Sequence, residues 1–224
     1  MIVLVAVLFL AITILPQLWV RRIIQRHGKE RSDLPGTGGE LARHLLNRFD
    51  LAYVTIEITE QGDHYDPEAK AVRLQKRHHD GRSLSAAAVA AHEVGHAIQD
   101  GRGERGLQWR QSLARVAVQT DRLAFWFFLA APVLGILART PAAFAAILGI
   151  GVALLAVRVL VNLATLPVEF DASFGKALPI LREGYLPETE LPAIRAVLTA
   201  AAFSYVAGAL ISMVNLARWI GLLR

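Results

Sequence analysis

The segment His92-Glu93-Val94-Gly95-His96 has the clearest chemical content in this chain. Imidazoles at i and i+4 share one face of a helix about one turn apart, which suits two corners of a tetrahedral zinc site, and Glu93 can then reach a water on the metal. With the 7 His and 11 Glu present, the whole His-Glu-x-x-His motif arises by chance in about one chain in a hundred of such composition. A helix merely carrying two histidines would leave uncompensated imidazoles on an Ala-rich, apolar surface, which is costly. Two ligands do not complete a catalytic zinc site; a third is needed, with one position left open. The chain has no Cys, so thiolate ligands, disulfides, iron–sulfur clusters and cysteine catalysis are all excluded, and the remaining ligand must offer nitrogen or oxygen. Glu169, within Leu166-Pro167-Val168-Glu169-Phe170-Asp171-Ala172-Ser173, is the leading candidate, and Asp171 is its rival. Two residues apart on a helix, these carboxylates point in different directions.

These residues require particular elements to position them. Ser83 can cap a helix that runs through the Ala-rich stretch and the histidine pair and ends near Asp100-Gly101. Upstream, Thr37 with Glu40 three residues on is a capping box, and Leu41, Leu45 and Phe49 recur on one face, predicting a helix over about 38–49. Val54, Ile56 and Ile58 alternate with polar residues as a half-buried strand, residues 62–67 read as a turn, and residues 71–74 return as a second strand. That second strand is the expected edge for pairing with an extended substrate. His78 and His79 are adjacent and read as surface residues. The result is a small α+β lobe, too small to build much core alone.

The 224 residues are 54% hydrophobic and only 19% charged, with mean hydropathy +0.40, so a disordered chain is excluded and a lipid setting is indicated. The formal charge of +5 does not by itself imply nucleic acid, because basic residues also collect on the cytoplasmic side of membrane proteins, and no nucleic-acid partner is expected. Four apolar stretches read as spans: residues 2–20 as an uncleaved anchor, 123–138 and 142–166 as a hairpin around Arg139-Thr140-Pro141, and 196–217. The last carries Ala200, Ser204, Gly208 and Ser212 at intervals of four, a stripe that lets membrane helices approach closely. Arg21, Arg22, Arg26, Lys29 and Arg31 follow the first span; Arg102, Arg105, Arg110, Arg115 and Arg122 precede the second; the hairpin turn holds only Arg139. By the positive-inside rule the expected divisions are an anchor over 1–20, a cytoplasmic catalytic lobe over 21–122, a hairpin over 123–166, a cytoplasmic segment with the third ligand over 167–195, and a last span within 196–224. Both termini, including Arg224, then lie outside, and Arg158 reads as an interfacial anchor.

The motif in its setting Ala90 to Gln99, the upstream Asp63-His64-Tyr65-Asp66-Pro67 and the downstream Leu166-to-Ser173 segment together resemble the YugP-type neutral zinc metallopeptidases, which are bacterial membrane proteins. The resemblance runs from Gly36-Thr37-Gly38 to the segment around Tyr205. It implies an inner (cell) membrane protein, mainly α and polytopic, with a zincin-like lobe and one zinc per chain held by His92, His96 and Glu169. The layout is also similar to HtpX-type membrane proteases. Those carry Asp four residues after the glutamate, where this chain has Ser173, so Ser173 and Asp171 become candidates for supporting the ligands. In the expected mechanism Glu93 is the general base, with Tyr205 and His64 as candidate oxyanion or substrate contacts. The substrate is a protein or peptide beside the lipid bilayer, and an oligomer or a regulatory membrane partner is compatible with the sequence. Two rivals remain. A site-2-type intramembrane protease would place the motif inside a span, but the apolar run over 84–98 is about fifteen residues against the roughly 20 a span needs. A non-catalytic adaptor with structural zinc would have no use for Glu93 beside the metal.

Overall fold

The computed structural model describes the backbone of residues 2–138 and 140–222, and their side chains except at 2, 3, 5, 6, 9, 148, 155 and 211–222. The expected roles of Arg139 in the hairpin turn, Arg224 at the outer terminus and the Ser212 side chain fall outside the described residues. Among the described residues the α-helices are α1 (Ile2–Arg26), α2 (Gly38–Arg48), α3 (Lys76–His79), α4 (Leu84–Gly101), α5 (Arg105–Leu137), α6 (Pro141–Phe170), α7 (Leu178–Arg182) and α8 (Leu191–Leu222). A π-helical turn, Asp171–Ala177, joins α6 to α7, and a 3-10 turn, Glu188–Glu190, precedes α8. The strands are β1 (Thr55–Ile58), β2 (His64–Asp66) and β3 (Ala71–Leu74).

The chain divides into two compact units. One comprises Met1–Gln17, Trp109–Thr165 and Tyr205–Arg224. Among the described residues three helical stretches are long and apolar enough to cross a membrane: Arg105–Leu137, Pro141–Arg182 and Glu188–Leu210. Within this unit Phe125, Trp126, Leu129, Val133 and Ile136 are exposed, an apolar surface of the kind that faces lipid rather than water. Arg158 does not stand alone as an interfacial anchor. It pairs with Asp121 of α5 at 2.6 Å, and the pairing offsets the cost of a charge on an otherwise apolar helix.

The other unit comprises Leu18–Gln108 and Leu166–Ser204. Its core gathers α2, the sheet, α4, α7 and the first turns of α8 around Leu45, Leu46, Val72, Leu74, Val94, Leu181, Ile194 and Leu198. The caps explain where its helices begin. Thr37 Oγ1 accepts the Glu40 N–H while Glu40 Oε2 accepts the Thr37 N–H, and Ser83 Oγ accepts the Ala86 N–H at 3.1 Å. In α2, Ala42, Leu45 and Leu46 are fully buried, with Leu41 and Phe49 packed at the core's margin. Close approach of α2 to α3 requires Gly38, whose Cβ would stand 2.2 Å from the His78 carbonyl oxygen.

The sheet corrects the expected hairpin. Its order is β1-β3-β2, with β1 parallel and β2 antiparallel to β3. The stretch expected to be only a turn contains β2, because Tyr65 faces the core between half-buried neighbours. The turn signal belongs to Asp66, whose Oδ1 accepts the Glu68 and Ala69 N–H groups as the chain reverses into β3. β3 is therefore central, and the edges are β1 and β2. His78 is also not a surface residue: it is 2% exposed, with Nδ1 against Asp63 Oδ2 at 2.8 Å, while its neighbour His79 faces partly outward.

Candidate metal centre

The motif residues all lie on α4 in the second unit and are buried: His92 and His96 are 1% exposed and Glu93 4%. Their ligand-capable atoms fall within 4.8 Å of one another, and the two rings stand edge to face with centroids 4.8 Å apart. Glu169, near the end of α6, is 1% exposed, and its Oε2 stands 3.3 Å from His92 Nε2 and 3.1 Å from His96 Nε2.

Hydrogen bonding fixes which ring nitrogen carries the proton. Ser173 Oγ donates to the Leu198 carbonyl at 3.0 Å, so its 2.9 Å contact with His92 Nδ1 is one in which the hydroxyl accepts. Gln99 Nε2 faces two acceptors, the Val168 carbonyl and Asp171 Oδ2, so its Oε1 is the atom that meets His96 Nδ1 at 2.9 Å and accepts from it. In its neutral form each imidazole is therefore the Nδ1–H tautomer, with its Nε2 lone pair turned toward the same carboxylate oxygen. Three electron-rich atoms converging in a buried space repel unless a cation lies among them. Ligand atoms 2.0–2.2 Å from a tetrahedral zinc stand roughly 3.3–3.5 Å from each other, close to the separations at Glu169. Two neutral imidazoles and a carboxylate form an N/O donor set that fits zinc, with Glu93 beside it.

The other expected contacts are distributed differently. Asp171 is held by Gln99 at 2.8 Å and Lys176 at 2.7 Å rather than turned toward the imidazoles. His64 lies on β2, where its Nδ1 donates to the Gly62 carbonyl at 2.8 Å, and among the described residues it does not join the cluster of ligand atoms. Tyr205 belongs to the first unit, where the Arg110 guanidinium lies 4.9 Å from its ring centre. The Asp63-to-Pro67 segment serves as a fastening. Tyr65 Oη donates to Asp100 Oδ2 at 2.6 Å, and Lys70 Nζ reaches the same oxygen at 2.5 Å, tying β2 and the hairpin to the last turn of α4. Burial and the Asp100 carboxylate push the Tyr65 hydroxyl well above the usual tyrosine range, so it remains a donor. A cleft of about 460 Å3 bounded by Leu34, Leu41, His44, Ala87 and Tyr185 includes none of the four clustered residues. Sequence reasoning missed Gln99, although its position three residues after His96 on one helix places it on the same side.

The whole chain, residues 1–224, matches the family model described as "Putative neutral zinc metallopeptidase". The chain is also 35% identical over 206 residues to a Bacillus subtilis (strain 168) protein named "Putative membrane protease YugP"; the match covers 91% of this chain and 88% of that protein. No solved structure matches it significantly.

Proposed function

Because the chain belongs to the neutral zinc metallopeptidase family, we propose that it is a membrane-bound zinc endopeptidase that hydrolyses peptide bonds of membrane-associated proteins or peptides at the cytoplasmic face. The observation that carries this reading is the convergence of the two imidazole Nε2 atoms on one Glu169 oxygen, with the Glu93 carboxylate buried beside them. His92, His96 and Glu169 would hold one zinc per chain. Bound zinc would polarise the scissile carbonyl and bring the pKa of water close to neutrality.

The chain's own residues supply the proton traffic. Glu93 takes a proton from the attacking water as the water oxygen bonds to the peptide carbon. It returns that proton to the amide nitrogen as the C–N bond breaks, and the second water proton passes from the new carboxylic acid to the amine, so that a carboxylate and an ammonium leave. Burial of Glu93 keeps bulk water from competing for the proton. Ser173 and Gln99 hold the imidazoles in the tautomer that leaves Nε2 available. An extended substrate would add to an edge strand, β1 or β2. Tyr205 and His64 remain the candidates for meeting the oxyanion, to be tested by Tyr205→Phe and His64→Ala. The short reach of α4, which is not among the helices apolar enough to span, favours this reading over a site-2-type protease.

The deciding experiment is metal analysis with a peptide-hydrolysis assay on purified parent and Glu93→Gln proteins. The variant should keep about one zinc per chain and its helical circular dichroism while kcat falls by at least ~100-fold, since general base catalysis contributes about 10²–10⁴. Undiminished turnover would assign the base elsewhere.

A further inference from the structure

Gln99 is fully buried, and every polar atom of its amide is in use. Oε1 accepts from His96 Nδ1 at 2.9 Å; Nε2 donates to the Val168 carbonyl at 3.1 Å and to Asp171 Oδ2 at 2.8 Å. One end of the side chain therefore holds a ligand-bearing imidazole. The other end holds the residue immediately before Glu169 and the residue two after it. We propose that Gln99 is a positioning residue that sets the register between α4 and the Glu169 segment and so keeps His96 Nε2 and Glu169 Oε2 at their 3.1 Å separation. This inference rests on the zinc reading above.

The chemistry at this position admits few side chains. One acceptor and two donors are needed in a fixed plane, which is a carboxamide. Glu would set an oxygen against a carbonyl and a carboxylate. Asn lacks the methylene needed to span the gap, and an apolar isostere would strand the Val168 carbonyl and the His96 N–H in a buried space.

The far side of the clasp is anchored in turn. Lys176 Nζ bonds the same Asp171 oxygen at 2.7 Å and Glu104 at 3.1 Å, and its side chain is only 12% exposed. Residues five apart stack in a π-helical turn, so Asp171–Ala177 is the geometry that brings Lys176 over Asp171. The partner of His92 works differently: Ser173 passes its hydrogen bond on to the Leu198 carbonyl of α8 and does not grip the residues flanking Glu169. Ser173 joins His92 to this segment at one point, whereas Gln99 bonds on both sides of Glu169.

The test uses full-length, detergent-solubilised protein and reads zinc affinity by chelator competition together with the visible absorption of the cobalt(II)-substituted protein, which responds to ligand geometry. Gln99→Glu and Gln99→Leu should weaken zinc binding by about 10–100-fold and shift the cobalt bands. Asp171→Asn, which keeps an acceptor for Gln99 and loses the Lys176 charge pair, should act in the same direction by less. Zinc affinity within twofold of parent and an unchanged cobalt spectrum in folded Gln99→Leu would overturn the proposal. If neither Gln99 variant folds, the same parental result for Asp171→Asn overturns it. Parent protein without zinc, or zinc kept by Glu169→Ala, would instead sink the zinc reading. Zinc that Glu169→Ala loses and the Gln99 variants retain would remove this inference alone.

Discussion

Glu169 and Asp171 are two residues apart and chemically alike, yet their surroundings give them different work. Glu169 Oε2 faces two imidazole nitrogens, whereas Asp171 Oδ2 faces an amide and an ammonium. A carboxylate already neutralised by Lys176 gains little from a second cation, which favours Glu169 over Asp171 for the proposed ligand role. Glu169→Ala should therefore lose zinc on dialysis against a mild chelator, while Asp171→Ala should retain it with weakened affinity; inductively coupled plasma analysis of both proteins decides this. Retention in Glu169→Ala together with loss in Asp171→Ala would reverse the assignment. His92, Glu93 and His96 were legible in the sequence because their spacing is local to one helix. Glu169 was legible through its sequence setting, since nothing in spacing alone brings it to α4. Ser173, where HtpX-type proteins have Asp, proves to be a hydroxyl partner of His92.

Gly95 lies between the two histidines at the point where α4 meets the π-helical turn. A Cβ there would stand 2.7 Å from the Ala172 carbonyl oxygen, a backbone atom that cannot move without carrying Glu169 and Ser173 with it. Gly95→Ala should destabilise the protein by about 1–3 kcal/mol through overpacking. It should also weaken zinc binding. Gly149→Ala on α6, where nothing among the described residues lies within 4 Å of the added carbon, should leave zinc titration unchanged and the melting temperature unchanged or slightly raised. A parental melting temperature and zinc affinity in Gly95→Ala would show that the approach is looser than the structure has it. Helix starts at Thr37 and Ser83 were readable because a cap is a local hydrogen bond. The π-helical turn was not, since i+4 and i+5 spacings leave the same apolar pattern over seven residues. Residues 62–67 were misread for a related reason: turn-forming Asp, Gly and Pro mask the single inward residue, Tyr65, that makes β2 a strand. His78 looked exposed because its partner Asp63 is distant in sequence.

For the whole molecule, the open matter is which side of the membrane holds the chemistry, because that decides which proteins can be substrates. Three stretches qualify as spans among the described residues, and α1, with several side chains outside that set, is proposed as the fourth. Its sequence over 2–20 lacks any charge and is followed by Arg21 and Arg22. The basic residues flanking the region between α1 and the apolar part of α5, against a single Arg in the turn between α5 and α6, favour a cytoplasmic catalytic unit. An even number of crossings also returns residues 167–195 to the side of α4, as the contact of Glu169 with His92 and His96 requires. With no native Cys, single cysteines introduced as Asp80→Cys, Thr140→Cys and Glu188→Cys, all at exposed positions, report without background. An impermeant thiol reagent on intact cells should label only position 140, and all three should label once the cells are opened. Labelling at 80 and 188 in intact cells would move the chemistry to the outer face, and labelling at only one of those two would break the even count of crossings on which the ligand set depends.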